Sequence, residues 1–537
     1  MMPEHREPRP GPSCSSNGML PPISSPTIPE IRVNPAELRR RSTREHRVST
    51  IAIKSREVQL SRFVPPIELS VLFHHLRAPS RLLGLSLVAP AFVALIYREL
   101  ISAVVFTALA ILCYAFGRVG GRSGLGDAST RDAFVVAACA YLLFALVGAA
   151  AYWPSVGLVN GLFEAMSGFT TTGLSVVDVS ALPRSLLFFR SYSQWIGGAG
   201  IVVLSIAFLP APRRLLVRLY ATEFKDENVL GNLAATTRLV FIIYGSLTAL
   251  AWISYVAVGM SGFDGLLHAL STISTGGFSP HGESIGHYGA SRVKLVVCVF
   301  MIAGAIAFPL YYRARRDGLR RVARDAQLRA LGLVIAGGFL VATMFTEVTG
   351  DGRAAVDRIF HVVSSVTTTG FSTTDPQTWP EGLRMVSTAL MIIGGSAGST
   401  AGGIKLFRLL ILIAMVRWCF ARAVLPPEAH VPVRLGERAL HEDDLRAAAG
   451  LVTLYLAIVG LSTAILALTH AAPAQALFES VSALGTVGLS AGVTSASLPL
   501  WAKAVLIFDM WAGRLEIVPL LILFYPRTWR RRAGGTE

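Results

Sequence analysis

The chain has 537 residues, 53% of them hydrophobic and only 15% charged, with a formal net charge of +16 and a mean hydropathy of +0.55. Soluble domains carry about a quarter charged residues, so a soluble globular protein is excluded and an all-α polytopic membrane protein is expected. The basic excess is sorted to one side of the apolar segments, which sets aside nucleic acid as a partner.

Residues 1–75 are expected to form a basic, disordered cytoplasmic extension. Up to position 65 they are rich in Pro, Ser and Arg and hold no apolar core of the kind a secretory signal needs. The run from Arg39 to Arg47 is suited to anionic headgroups of membrane lipid. Apolar stretches of about the length of a bilayer crossing lie near 82–97, 100–117, 133–153, 188–209, 238–258, 292–311, 329–348, 384–404, 447–469 and 503–524. The first two form a transmembrane hairpin within 76–130. Only Arg98 and Glu99 separate them, so a kinked or re-entrant arrangement stays open there. The remaining stretches pair off within 131–225, 226–325, 326–430 and 431–526, and a basic tail closes the chain at 527–537.

With the N-terminus inside, the odd-to-even loops hold few basic residues: Arg98, Arg184, Arg353 and Arg358. The opposite side holds Arg118, Arg122, Arg213, Arg214, Arg218, Arg313, Arg315, Arg316, Arg320, Arg321, Arg324 and the tail Arg530 to Arg532. The positive-inside rule then places both termini in the cytoplasm. The cysteines Cys14, Cys113, Cys139, Cys298 and Cys419 share no metal-ligand spacing and read as small packing residues.

Each of the four pairs encloses the same phrase: Ser167-Gly-Phe-Thr-Thr-Thr-Gly-Leu-Ser175, Ser271-Thr-Ile-Ser-Thr-Gly-Gly-Phe-Ser279, Ser364-Ser-Val-Thr-Thr-Thr-Gly-Phe-Ser372 and Ser482-Ala-Leu-Gly-Thr-Val-Gly-Leu-Ser490. A unit with two crossings returns to the side it started from, so all four loops open on one face, as a ring about a pseudo-fourfold axis requires. Inverted repeats would alternate their loops between faces. One such phrase alone reads as a turn; four in one register, each between spanning helices, read as a pore of four helix–loop–helix repeats.

Within each phrase a short helical piece, such as Asn160 to Ser167 or Ala476 to Ser482, precedes an extended segment. A half-helix ending inside the membrane turns its carbonyl end, the negative pole of its dipole, toward a cation. The extended segments, Thr171-Thr172-Gly173-Leu174, Thr275-Gly276-Gly277-Phe278, Thr368-Thr369-Gly370-Phe371 and Thr486-Val487-Gly488-Leu489, are expected to supply the filter oxygens. Stripping an ion of water without substitute ligands costs tens of kcal/mol on Born estimates. Gly173, Gly277, Gly370 and Gly488 free the backbone to aim carbonyls along the axis. Leu174, Phe278, Phe371 and Leu489 are expected to brace the strand from outside, and Thr171, Thr275, Thr368 and Thr486 to add hydroxyls. No carboxylate lies inside the segments, so a monovalent cation is expected rather than a divalent one.

A second feature is the stretch Gly394, Gly395, Ser396, Gly398, Ser399, Thr400, Gly402, Gly403, ending at Lys405. Five glycines at this density do not hold a helix through lipid, and irregular backbone at membrane depth is tolerated only where it lines a cavity. It is expected to interrupt the helix below the filter and obstruct the pore. Arg514, in the last crossing, and Lys405 are costly charges at that depth. Arg514 either faces the pore or pairs with Glu516 or Glu479, and Lys405 either acts at the obstruction or snorkels to the interface. Glu164, His268 and Glu479 share one position in their short helices and are expected to support the loops.

These residues together resemble the ion-translocating subunits of the Trk/Ktr/HKT superfamily of potassium transporters, the Trk branch above all, over about residues 75–526. Beyond the loops, Gln194-Trp-Ile-Gly-Gly-Ala-Gly-Ile201, Met391 to Lys405 and Met510-Trp-Ala-Gly-Arg-Leu-Glu516 are similar to further signatures of that family. The resemblance implies potassium uptake across the bacterial plasma membrane, potassium at the filter positions, and a movable gate at the glycine-rich stretch. It also implies that Arg514 is a pore cation barrier. The implied partners are a second copy in a homodimer and a cytosolic nucleotide-binding regulatory ring. The basic loops near 210–225 and 312–329 are plausible docking surfaces for that ring. The long basic start departs from the family pattern.

An enzyme is not expected. Gly398-Ser-Thr-Ala-Gly-Gly-Ile-Lys405 misses the phosphate-loop pattern, because Lys405 stands one place late and Leu406 replaces the required hydroxyl. No cofactor motif occurs in the chain, and nucleotide is expected only on the regulatory partner. The alternative transport modes are a sodium-permeable channel and a proton- or sodium-coupled symporter of the same architecture. In plant members of the superfamily, serine in place of the first-repeat glycine goes with sodium preference. Gly173 is intact here.

Overall fold

The computed structural model describes residues 67, 69–119, 130–207, 233–345, 352–426, 432–435 and 438–529. Cys14, the extension up to position 66, the whole basic loop near 210–225 and the tail beyond 529 lie outside the described residues.

The first helix runs Leu69–Ser86 and continues almost without break as Val88–Ile96. It therefore starts ahead of both the expected crossing at 82 and the expected boundary at 76, because Leu72, Leu76 and Leu83 already offer a buried stripe. Arg98, with φ 59°, turns the chain into a second helix, Leu100–Arg118. The two pack closely: the Ser80 hydroxyl donates to Cys113 O at 2.9 Å, and a Cβ on Gly84 would stand 2.8 Å from Ala110 O. The first pair is thus a hairpin of full-length helices. Glu99 in its turn accepts from the backbone N–H groups of Arg184 and Ser185 at 2.7 and 3.0 Å. A carboxylate from the hairpin thereby caps the N-terminus of a helix in the first repeat.

Four repeats follow, each of a first helix, a pore helix and a second helix. The first helices are Thr130–Val156, Leu233–Ala257, Ala326–Met344 and Glu442–Ala467. The pore helices are Leu158–Phe169, Gly262–Ile273, Gly352–Val366 and Pro473–Leu484. The second helices are Arg184–Ala207, Ser291–Ala305, Glu381–Ile393 and Leu500–Arg514. Among the described residues, 6 helices are long and apolar enough to cross a membrane alone, and Ser291–Ala305 with Phe308–Asp317 makes a seventh span bent by 92°. The second helices of repeats two, three and four stop early. The expected crossing at 384–404 is a helix to Ile393 followed by irregular backbone as far as Lys405, and that at 503–524 is Leu500–Arg514 followed by Val518–Phe524. A two-residue ribbon, Arg434–Leu435 with Arg438–Ala439, joins repeats three and four.

The repeats are tied edge to edge at equivalent places. Lys294 of repeat two donates to Asp357 of the third pore helix at 2.6 Å, and Lys503 of repeat four to Asn160 of the first at 2.9 Å. The second contact joins the end of the chain to its beginning and closes the circle. One apolar core extends from the hairpin (Phe106) through repeat one (Phe163, Phe169) to repeats three and four (Met391, Leu484, Met510). Cys113, Cys139, Cys298 and Cys419 are free thiols, the first and third buried.

Candidate ion-conduction site

Each pore helix ends in the same way. In repeat one, Thr171 N–H donates to Gly168 O and Thr172 N–H to Ser167 O, both at 2.9 Å. The same pair of bonds recurs from Thr275 and Gly276, from Thr368 and Thr369, and from Thr486 and Val487. This is the Schellman termination, whose left-handed residue is ordinarily glycine. Here it is threonine four times, with φ of 55°, 52°, 53° and 50°. A left-handed β-branched residue costs about 1–2 kcal/mol. Such strain is kept here at four equivalent places, as it is at sites where the surrounding structure over-determines the backbone. The hydroxyls of Thr171 and Thr486 are buried without a hydrogen-bond partner. That of Thr275 donates to Ser274 O at 2.7 Å, and that of Thr368 accepts from Gly402 N–H at 2.7 Å.

Two residues on, the glycines form the closed part of the ring. Gly173, Gly277, Gly370 and Gly488 have φ of 94°, 79°, 81° and 97°, the half of conformational space that favours glycine. A Cβ on Gly173 would stand 2.2 Å from Gly276 O, one on Gly277 2.2 Å from Thr369 O, one on Gly370 1.7 Å from Val487 O, and one on Gly488 2.2 Å from Thr172 O. Each glycine thus abuts the backbone carbonyl of the next repeat, and the fourth returns to the first. All the expected filter residues come together in this ring. Leu174, Phe278, Phe371 and Leu489 are buried behind it.

The ring is braced by the residues three positions before each repeat's first serine. Glu164 accepts from the Ser175 hydroxyl and Val176 N–H, both at 2.8 Å, and pairs with Arg190. Arg190 also lies 3.9 Å from the Phe278 ring centroid, linking repeat one to repeat two. His268 bonds the Ser279 hydroxyl at 3.1 Å, and Glu479 accepts from Ser490, Ala491 and Thr494. The sequence reading missed the fourth member, His361, which bonds Thr373. Counting back from Ser364 as from the other serines would have found it. Arg190 carried no such signal, since its partner is distant in the chain.

The glycine-rich stretch lies against the helix ends beneath the ring. The Thr400 hydroxyl donates to Ile273 O or Gly304 O, each at 3.0 Å, Ser396 N–H to Ala305 O at 3.1 Å, and Gly403 N–H to Gly485 O at 3.2 Å. A Cβ on Gly402 would meet Gly485 O at 2.1 Å. Gly394 faces Gly402 O, Gly395 packs on Ala401 and Ala305, and a Cβ on Gly398 would make only ordinary contact, 3.7 Å from Ala307 Cβ. Ser399 closes a local turn by donating to Ser396 O at 2.6 Å. Arg514 donates to Thr400 O and to Gly197 O, both at 2.9 Å, so its guanidinium joins this stretch to repeat one. Neither carboxylate weighed as its partner is used: Glu516 takes Lys405 at 2.7 Å and Arg408, and Glu479 braces the fourth loop. Lys405 is buried in that ion pair.

A family model described as TrkH, cation transport protein, matches residues 102–531. The Trk system potassium uptake protein TrkH of Halomonas elongata is 31% identical over 470 residues, 83% of this chain and 96% of that protein. The Trk system potassium uptake protein TrkG of Escherichia coli is 33% identical over 482 residues, 84% of this chain and 96% of that protein. The crystal structure of the potassium transporter TrkH from Vibrio parahaemolyticus superposes with a TM-score of 0.75 at 29% identity, covering 86% of this chain and 100% of that one. The chain belongs to the TrkH family of cation transport proteins, multi-pass membrane proteins that transport rather than catalyse.

Proposed function

We propose that this chain takes up potassium through the four-glycine ring, which acts as its selectivity filter. The observation that carries the reading is ring closure: four carbonyls, of Thr172, Gly276, Thr369 and Val487, each abut a glycine of the neighbouring repeat. A dehydrated cation on the axis meets backbone oxygens from all four sides, which replace the water it sheds. The pore-helix C-termini add their negative dipole ends, and the left-handed threonines add hydroxyls on the inner side. Potassium is the cargo here, consistent with the names of the relatives.

The stretch from Gly394 to Lys405 is the gate in this reading, and Arg514 and the Lys405–Glu516 pair hold it closed. A guanidinium is charged at any physiological pH and opposes a cation passing nearby. Both termini face the cytoplasm, the loops open outward, and the membrane is the plasma membrane. The transporter works as a homodimer with a cytosolic nucleotide-binding ring. The exposed Arg315, Arg316, Arg320, Arg321 and Arg324 beyond the bent second helix of repeat two are a docking surface for that ring.

The test is Gly173→Ser. Its side chain has a backbone carbonyl at 2.2 Å, so one quarter of the ring must open. Reversal potentials of the reconstituted protein in varied potassium and sodium should show the potassium-over-sodium ratio falling by roughly tenfold, about 1.4 kcal/mol. An unchanged ratio in a folded variant sinks the filter reading. Varying pH and sodium in the same measurement separates a channel from a coupled symporter.

A further inference from the structure

The ring is not chemically uniform, and the odd seam lies between repeats one and two. At the position before the filter glycine, repeats one, three and four carry side chains: Thr172, Thr369 and Val487. Repeat two carries Gly276. The space a Cβ would need there is filled by another repeat: it would stand 2.3 Å from Gln194 Cδ. Gln194 is fully buried in the second helix of repeat one. Its amide Nε2 donates to Gly276 O at 2.5 Å, and its Oε1 accepts from Phe278 N–H at 3.2 Å. The two bonds together set the orientation of the amide, since a flipped group would face a donor with a donor. Gln194 therefore grips the filter strand of repeat two on both sides of Gly277.

The other repeats have no such grip. Three residues before the glycine shared by the second helices, where repeat one has Gln194, the others have Met301, Met391 and Met510. The pore-helix serines differ in the complementary sense. Ser167 and Ser482 accept from the filter glycine N–H at 3.0 Å, and Ser364 donates to Phe371 O at 2.6 Å. The Ser271 hydroxyl of repeat two has no partner. The strand that its own pore-helix serine hydroxyl leaves unheld is the one held from repeat one.

We propose that Gln194 is a positioning residue for ion discrimination, holding the Gly276 carbonyl in the ring through its side-chain amide; this rests on the filter reading above. A carbonyl oxygen has two lone pairs, so one amide donor leaves it able to face an ion while limiting its movement. A smaller ion such as sodium needs the ring to contract around it, and a carbonyl tied to a buried amide resists that contraction. The Met/Thr and Met/Val combinations of the other seams and the Gln/Gly combination of this one are alternative fillings of equivalent positions.

The experiment uses the full chain in proteoliposomes, with Gly173→Ser as a control on the filter. Gln194→Met is expected to lower the potassium-over-sodium permeability ratio about fivefold, the effect of losing a hydrogen bond or two. Gly276→Thr alone is expected to abolish flux, and the double variant Gln194→Met with Gly276→Thr to recover it, since it installs the pairing found at the other seams. If Gly173→Ser lowers the ratio and Gln194→Met does not, the Gln194 proposal is overturned and the filter reading stands. If neither changes it, both fall. Should Gln194→Met fail to accumulate, Gln194→Leu removes the donor to Gly276 O with an uncharged side chain of similar length, and an unchanged ratio there overturns the proposal equally. A double variant no more active than Gly276→Thr shows that the two residues do not share one space, and also overturns it.

Discussion

In the ring, Gly173, Gly277, Gly370 and Gly488 share one conformation and one kind of neighbour. In the second helices, Gly197, Gly304, Gly394 and Gly513 share a place, equally far from the helix start, yet the backbone beyond them takes four different courses. A Cβ on Gly197, Gly304 or Gly513 would meet the carbonyl of Phe169, Ile273 or Leu484, at 1.9, 3.1 and 1.9 Å. These are equivalent residues at the pore-helix ends. Gly394 instead faces Gly402 O of its own loop. Beyond the shared glycine, repeat one continues as helix to Ala207, repeat two bends by 92°, repeat three opens into the glycine-rich stretch, and repeat four stops at Arg514. The ring needs four equal partners because an ion on an axis is solvated from all sides. The obstruction needs one loop that differs from the rest, because four equal loops would compete for the same space.

The comparison is broken most severely at Gly370. Its Cβ would lie 1.7 Å from Val487 O, backbone against backbone, so Gly370→Ala is expected to abolish potassium uptake. Gly398→Ala, in the loop, meets nothing closer than Ala307 Cβ at 3.7 Å and pays only for its positive φ. It should retain most activity, and equal losses in the two variants would remove the distinction between ring and loop.

Glu164→Ala leaves Arg190 buried without its partner, a change that costs about 3–5 kcal/mol. Thermal unfolding of the detergent-purified protein should show a large drop in Tm, and an unchanged Tm would show that the brace is dispensable.

Removing Ser396 to Thr400 takes out the contacts to Ile273, Gly304 and Ala305 and should raise ion flux many-fold without altering the potassium-over-sodium ratio. Flux no higher in a folded variant means that the stretch is not the obstruction. A changed ratio means that ring and loop are not separable.

Arg514→Ala releases the loop from Gly197 and removes a charge. At about 6 Å and an effective dielectric near 20 that charge is worth roughly 3 kcal/mol against a passing cation. Flux should rise many-fold, and Arg514→Lys should fall between, keeping the charge but not the planar two-carbonyl grip. An alanine variant that fails to fold would make the residue a structural clasp.

The smallest effect is expected at Thr171. Glycine there keeps the helix termination and relieves the left-handed strain, so Thr171→Gly should leave stability within about 1 kcal/mol of the parent. It should also weaken the apparent affinity for potassium, measured as the concentration for half-maximal uptake. Unchanged affinity would assign the threonine hydroxyls no part in ion binding.

Much of the fold was legible because it is written four times. The periodic apolar runs, the Ser-to-Gly register and the glycine cluster state a ring of helix–loop–helix units and a single interrupted helix without any coordinates. The start of the first helix was not legible, because the polar His74, His75 and Arg77 dilute its apolar stripe. His361 was hidden among the acidic or basic residues that fill the same place elsewhere.

What the sequence by itself determined about this protein is what depends on spacing along the chain: the number of repeats, their shared orientation, the glycine positions of the ring and the place where a helix cannot continue. Only the tertiary structure decided which residue faces which across a seam. That Gly370 is needed because of Val487 O, that Arg514 serves Thr400 and Gly197 rather than a carboxylate, and that Gln194 stands in for a side chain at Gly276 are all contacts between segments far apart in the chain. Spacing sets which side of its own helix a residue occupies; the packing of one helix on another sets what it meets there.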